Sequence, residues 1–133
     1  MKHTPQDLKA QYQLQMDEEG ILLARCAHLS HEVFWAVFLD NQHHIISIEH
    51  LFTDTLDGCE VHSRVIAKRV LKLNAVAVIV FHNHPSGNPE PSETDRNVTE
   101  LLKQALALLD IRVLDHLVIG GRQHVSLASR GWV

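Results

Sequence analysis

The apolar residues of the chain fall into short runs that predict the strands of a sheet. Residues Val33–Leu39 and 75–81 are apolar at every position, which is typical of strands buried on both faces. The segment 43–52 follows the first run after a short polar turn, so it is predicted to return as the second strand of a hairpin. Two further strands are predicted in the last third of the chain, at 111–119 and 124–127.

Between these strands, apolar residues recur with a helical period. Ile66 and Val70 stand at i and i+4, which predicts a helix over about 62–73 that Asn74 can end. A second helix is predicted from Ser92 to about Leu109, with its apolar stripe at Val98, Leu101, Leu102, Ala105 and Leu109.

The order of these elements is typical of a single α/β domain. A hairpin, a helix, a strand, a helix and two more strands predict a mixed sheet that lies between helices. We assign this domain to residues 30–133. The more polar stretch before it, residues 1–29, is predicted to be a helical arm with helices at 6–19 and 21–29.

Chemistry-bearing side chains cluster directly after the second apolar run. His82 and His84 alternate along an extended segment, so they are expected to project to the same side. Asp95 stands three residues before Val98, which puts it on the inward face of the second helix. A catalytic zinc typically takes three such ligands and leaves its fourth position to water. The pattern therefore predicts a Zn²⁺ site of His82, His84 and Asp95.

Each half of this pattern has an ordinary explanation when it is taken alone. A pair of loop histidines is unsurprising in a chain with 11 histidines. Ser92 followed three residues later by Asp95 resembles a helix capping box. The cap, however, gives His82 and His84 no role, and for that reason the metal interpretation is favoured.

Composition narrows the class of protein. With 133 residues, of which 45% are hydrophobic, the chain is long enough to bury the core of one globular domain. A formal net charge of −4 makes nucleic acid an unexpected direct partner. Cys26 and Cys59 form no C-x-x-C pair, and free thiols fit the cytoplasm. No apolar stretch is long enough to span a membrane.

The string from His82 to Asp95 fits His-x-His-x₇-Ser-x₂-Asp without a gap, and it resembles the JAMM signature of MPN/JAB-domain metalloproteins. The run His-Asn-His-Pro-Ser-Gly is similar to the RadC branch of that superfamily. Matches at 34–40, 60–62, 113–120 and 130–133 extend the resemblance over about residues 30–133. It implies a cytidine-deaminase-like three-layer sandwich, in which helices flank a mixed sheet. Longer RadC-like proteins carry an N-terminal region resembling helix-hairpin-helix modules, and this chain looks like a stand-alone form without it.

The resemblance implies zinc-dependent hydrolysis of an amide or isopeptide bond, with Glu32 as the general base at the start of the first core strand. Glu49, Glu60 and Glu90 are its rivals for that role. Ser92 is expected to orient the reacting oxygen. Two more residues are candidates to support a ligand histidine, or alternatively form an ordinary core pair: Asp115 and His116.

The implied partner is a protein or peptide substrate. Two alternatives stay open: an accessory role in DNA repair, suggested by the RadC resemblance, and a non-catalytic metal-binding interaction module. Direct DNA binding would show as an affinity that falls with salt. A homodimer that exchanges the polar first twenty residues is also compatible with the sequence.

Overall fold

The computed structural model describes residues 30–53 and 59–133. These residues form one mixed five-stranded sheet with two α-helices, which confirms the predicted α/β class. The predicted helices at 6–19 and 21–29 lie outside the described residues. Neither described helix combines the length and the apolar character that crossing a membrane requires.

The elements follow one another in nearly the predicted order. They are β1 (Val33–Leu39), β2 (Ile45–Thr53), α1 (Cys59–Leu73), β3 (Ala77–Asn83), α2 (Glu93–Ala107), β4 (Arg112–Gly120), β5 (Gln123–Ser126) and a final 3-10 turn (Ala128–Arg130). The strand order in the sheet is β2-β1-β3-β4-β5, so β3 is central. Only β3 and β4 run parallel, and α2 makes the crossover between them.

The two faces of the sheet bury different side chains of the same strands. On one face, residues of β1 and β3 pack with both helices in what we call the helix-side cluster, which includes Phe34, Ala36, Phe38, Ile66, Val70, Val78, Val80, Leu102 and Leu106. The alternate residues are buried on the opposite face: Val33, Val37, Leu39, Ala77, Ile79 and Phe81. Burial on both faces explains why β1 and β3 are continuous apolar runs.

Backbone turns set the element boundaries. Asn74 has the left-handed φ of 56° that ends α1, as predicted, and the N–H of Ala75 then closes the helix by donating to the carbonyl of Val70. For this reason β3 begins at Ala77 rather than at residue 75. The α2 helix ends at Ala107, before the predicted Leu109, because the N–H of Ile111 turns back to the carbonyl of Leu106.

Candidate metal centre

The candidate site lies where β3 ends and α2 begins. His82 is the second-last residue of β3, His84 follows the strand, and Asp95 stands in the first turn of α2. Both histidines point to the face that carries the helices, since Phe34 of the helix-side cluster stacks on His82 with 6.0 Å between ring centroids. Asp95 is buried on the inward face of α2. The strand and helix periods thus bring the three predicted side chains to one point.

The three side chains contact one another through their polar atoms. His82 Nε2 lies 3.0 Å from Asp95 Oδ1, and His84 Nε2 lies 2.9 Å from Asp95 Oδ2. The two Nε2 atoms are 3.3 Å apart. Ligand nitrogens about 2.0–2.1 Å from a tetrahedral zinc stand roughly 3.3 Å from each other. The three residues therefore form a potential metal-binding triad with the spacing that a small divalent cation requires.

Hydrogen bonds on the far side of each ring orient the two Nε2 atoms. His84 Nδ1 lies 2.9 Å from the carbonyl oxygen of Asn88, which can only accept, so Nδ1 carries the proton. A neutral His84 therefore presents the lone pair of Nε2 to the site.

A buried chain of hydrogen bonds fixes His82 in the same way. The hydroxyl of Thr99 donates to the carbonyl of Asp95 at 2.9 Å, so it accepts from His116 Nδ1 at 2.5 Å. Burial is the largest cause that lowers the pKa of His116 well below its usual value, and it favours the neutral ring. Its bare Nε2 accepts from His82 Nδ1 at 2.8 Å. His82 then also turns an Nε2 lone pair inward.

The site therefore brings together electron pairs that a positive charge between them would stabilise. Two imidazole lone pairs and both oxygens of Asp95 converge, with the side chains of His82 and Asp95 each only 1% exposed. In this structure, Asp95 is held by hydrogen bonds with both rings. Burial alone would raise the pKa of Asp95, yet the hydrogen bonds with His82 and His84 outweigh burial and lower it well below its usual range. A divalent cation bound between these atoms would supply the positive charge.

The contact with Asp95 also changes the pKa of His84. Its pKa is raised, mainly by the hydrogen bond with Asp95, and the charges of Asp95 and Glu32 act in the same direction. The side chain of His84 is 14% exposed, whereas the other two members of the triad are closed off. Solvent therefore reaches the site on the His84 side.

Asp95 caps α2 as well as facing the histidines. Its Oδ2 accepts from the N–H of Ser92 at 2.8 Å, and its own N–H donates to Ser92 Oγ at 3.0 Å. The capping box is therefore present together with the triad, and the two interpretations of the motif do not exclude each other. Ser92 accepts in the cap through a lone pair of Oγ, which leaves its O–H able to donate elsewhere.

The loop between His84 and Ser92 is held close against β4. The N–H of His84 donates to the carbonyl of Ile119 at 2.7 Å. A Cβ atom on Gly120 would lie 2.3 Å from the backbone nitrogen of Pro89, so only glycine permits this approach. On the other side of the loop, both carboxylate oxygens of Glu90 bind Arg130, at 2.6 and 2.7 Å.

The four glutamates considered as general base have different surroundings. Glu49 binds Arg69 through both oxygens, at 2.7 and 2.6 Å, and Glu90 is held by Arg130. The side chain of Glu60 lies outside the described part of the chain. Glu32 is partly buried two residues before Phe34, and its charge acts on His84.

An open cavity of about 440 Å³ adjoins the N-terminus of α2. Ser92 lines it together with Pro91, Glu93, Arg96, Asn97 and Trp132. Two guanidinium groups lie over the ring of Trp132, with the Cζ of Arg96 4.5 Å and the Cζ of Arg130 5.2 Å from the ring centroid. Ser92 belongs to both the cavity and the cap of Asp95, so it connects the cavity to the helix end that carries the triad carboxylate.

The two residues expected to support a ligand histidine, Asp115 and His116, have different partners in the structure. His116 contacts His82 directly. The Asp115 carboxylate instead accepts from the hydroxyl of Ser126 and from the N–H of Ala128, which attaches the C-terminal turn to β4.

Thr99 and Asn83 were missed by the sequence analysis. Both are polar residues that are at most 1% exposed. Thr99 lies next to the apolar stripe of the predicted second helix, and this mismatch between polarity and predicted burial could have found it. Asn83 lies beyond the predicted end of the strand at residue 81, so the pattern gave no such signal for it.

Thr99→Val is expected to weaken zinc binding by up to about 10-fold, the lower end of the effect of losing an outer partner of a ligand histidine, because Thr99 reaches His82 through His116. The variant keeps the shape of the side chain but leaves the Nδ1–H of His116 without its acceptor, which also destabilises the fold by about 1–3 kcal/mol. Titration against a chromophoric chelator measures the affinity. Thr99→Ser retains the hydroxyl and serves as the control. Equal zinc affinities for the Val and Ser variants would contradict the role given to this chain of hydrogen bonds.

The chain is similar to known proteins along most of its length. It matches the family model of the RadC-like JAB domain over residues 13–132. A UPF0758 protein of Xanthomonas campestris pv. campestris (strain 8004) is 61% identical over 104 residues, which are 78% of this chain and 46% of that protein. A UPF0758 protein of Vibrio cholerae serotype O1 is 52% identical over 112 residues, covering 84% of this chain and 70% of that protein. The chain thus spans about half the length of the Xanthomonas relatives.

These matches confirm the resemblance predicted from the histidine motif. The matched region contains the whole described sheet, both helices and the triad. A mixed five-stranded sheet with two helices is also consistent with the JAB/MPN fold. The chain belongs to the RadC-like JAB domain family.

Proposed function

We propose that the protein is a zinc-dependent hydrolase that cleaves an amide or isopeptide bond in a peptide or protein. The observation that carries this proposal is the convergence of the lone pairs of His82, His84 and Asp95 at a site that His84 leaves partly open to solvent. Three protein ligands with a solvent-accessible side match a catalytic zinc site, whereas structural sites are usually closed by four. Zinc, when bound, supplies an acidified water and polarises the carbonyl that is attacked.

We assign the general base to Glu32. Side chains alternate along an extended segment, so Glu32 should point to the same face as Phe34, which stacks on His82. Its charge acts on His84, the exposed member of the triad. A carboxylate there can take a proton from the attacking water and pass it to the leaving amine.

Ser92 is assigned to the carbonyl oxygen. Its Oγ accepts from the N–H of Asp95, which leaves its O–H free to donate to a substrate carbonyl bound beside the triad. A donor held in place before the reaction stabilises the negative charge that develops on that oxygen.

An extended peptide is the substrate that suits this site best. The cavity is open and large enough for a side chain, and Trp132 is part of its lining. A net charge of −4 gives no general attraction to nucleic acid, so DNA is the less favoured partner. We place this activity in the cytoplasm, because two cysteines without a C-x-x-C pair are typical of proteins from a reducing compartment.

A metal-replacement experiment tests the proposal. The 133-residue chain is incubated with a library of fluorogenic peptide amides and with lysine isopeptide-linked peptides, before and after treatment with a chelator. Cleavage should disappear with the metal and return with one equivalent of zinc. If the fully zinc-loaded protein cleaves no probe, the hydrolase proposal is wrong, and a non-catalytic metal-binding module becomes the better explanation.

A further inference from the structure

Asn83 stands between the two triad histidines, and its carboxamide is buried with only 1% of the residue exposed. It makes two hydrogen bonds to the segment that leads into β1. The N–H of Val33 donates to Asn83 Oδ1 at 2.7 Å, and Asn83 Nδ2 donates to the carbonyl of His31 at 3.1 Å. Both partners are backbone groups, and they lie on either side of Glu32.

The chemistry of these partners determines the orientation of the amide. A backbone N–H can only donate and a carbonyl can only accept, so Oδ1 must face Val33 and Nδ2 must face His31. Asparagine presents a donor and an acceptor side by side, as a peptide group does. Aspartate would lose the donor, and alanine would lose both groups.

The two hydrogen bonds from Asn83 to Val33 and His31, which we call the clamp, lie where the backbone pairing between β1 and β3 ends. The last pair of the β1–β3 ladder at this end of the sheet is Phe34 with His82. Beyond it, the carboxamide of Asn83 takes the place of the next ladder pair and connects residues 31–33 to β3. The connection joins residues 50 apart in sequence, so no local turn could replace it.

We propose that Asn83 is the positioning residue for Glu32. Its carboxamide fixes the backbone on both sides of Glu32 to the strand that carries His82 and His84, and thereby sets the distance between the base and the metal centre. This inference rests on the proposed hydrolytic function, since it acts through Glu32. A displacement of about 1 Å in a catalytic group can cost on the order of 100-fold in rate.

Asn83→Ala should therefore lower kcat by about 10–100-fold, while the zinc content and KM stay close to the wild-type values. A double-mutant cycle with Glu32→Gln then separates positioning from general damage, measured with the fluorogenic peptide amide that the wild type cleaves best. If Asn83 acts through Glu32, adding Asn83→Ala to Glu32→Gln should change the rate less than about twofold. If Asn83→Ala lowers the rate of the Glu32→Gln variant by the same factor as it lowers the wild-type rate, the inference is overturned.

A second readout does not depend on turnover. Hydrogen exchange followed by NMR should show the Val33 amide exchanging at least about tenfold faster in Asn83→Ala, because its acceptor is gone. The amide of Phe38, at the other end of β1, should be unchanged. Asn41→Ala, in the exposed turn after β1, is the matched control and should alter neither amide. If Asn83→Ala does not fold, Asn83→Asp takes its place. Aspartate keeps the bond to the N–H of Val33 but loses the donor to His31, so kcat should still fall.

The outcomes separate the two proposals. A wild-type protein that cleaves no probe would refute the hydrolase function, and the catalytic meaning of the clamp with it. Wild-type cleavage with an equally fast Asn83→Ala variant would refute the clamp alone. If turnover by the Glu32→Gln variant is too slow to measure, hydrogen exchange of the Val33 amide decides. An unchanged exchange rate of that amide in Asn83→Ala overturns the inference.

Discussion

His82→Ala and Asp95→Ala should each abolish zinc retention, while the wild-type chain binds about one zinc ion. Removing one of three ligands leaves two, and the cost should exceed the roughly 10–100-fold that loss of an outer partner causes. Elemental analysis of protein purified with zinc and then dialysed measures the stoichiometry. His44→Ala is the matched control, since His44 is exposed in the turn before β2.

Asp95 needs a second variant because it also caps α2. Asp95→Ala removes the cap bond from the N–H of Ser92 together with the ligand oxygen, so a loss of zinc could follow from a frayed helix. Asp95→Asn keeps an oxygen for that bond but removes the charge that faces His82 and His84. It should retain the helix by circular dichroism and still lose zinc. Zinc binding by Asp95→Asn at wild-type strength would show that the carboxylate serves the cap alone.

The parts of the molecule that could be predicted from sequence are those that depend on local periodicity. The β1 and β3 strands are buried on both faces, so nearly every residue in them is apolar and the runs stand out. His82, His84 and Asp95 were found because the strand period of two and the helix period of 3.6 determine where each side chain points. The capping box joins Ser92 and Asp95, which are only three positions apart, so it too could be predicted from local sequence.

The parts that could not be predicted depend on contacts between distant residues. The bond from His82 to His116 joins positions 34 apart, and the bond from Val33 to Asn83 joins positions 50 apart. Both arise from the strand order β2-β1-β3-β4-β5, which puts β1 and β4 on either side of β3. The sequence predicts a mixed sheet but gives no direct signal for that order. The partners of Asn83 and His116 could therefore be identified only from the structure.

The choice among the glutamates shows the same limit. By sequence alone, Glu49 and Glu90 were acceptable rivals of Glu32. The pKa of Glu49 is lowered, chiefly by its hydrogen bonds with Arg69, and the pKa of Glu90 is lowered by those with Arg130. A carboxylate with a lowered pKa accepts a proton less readily, so both rivals are poorer bases as well as being held by arginine.

Glu32→Gln should lower kcat by about 10²–10⁴-fold while zinc content remains near one per chain. Glutamine keeps the size of the side chain and can still accept a hydrogen bond from water, but it cannot remove the proton. The turnover of the best fluorogenic peptide amide and the zinc content are measured on the same preparations. Glu49→Gln is the matched control: it weakens the ion pair with Arg69 and should leave turnover within about twofold of wild type.

The comparison of these two variants decides the role of Glu32. A large loss in Glu32→Gln with unchanged zinc and an active Glu49→Gln would assign the proton transfer to Glu32. If Glu32→Gln also loses zinc, the residue supports the metal centre rather than moving a proton. If instead Glu49→Gln is inactive and Glu32→Gln is not, the assignment is wrong, because the base would then be a carboxylate that must first leave Arg69. That outcome would also remove the reason for the clamp at Asn83, since its two bonds would hold a glutamate without a part in the reaction.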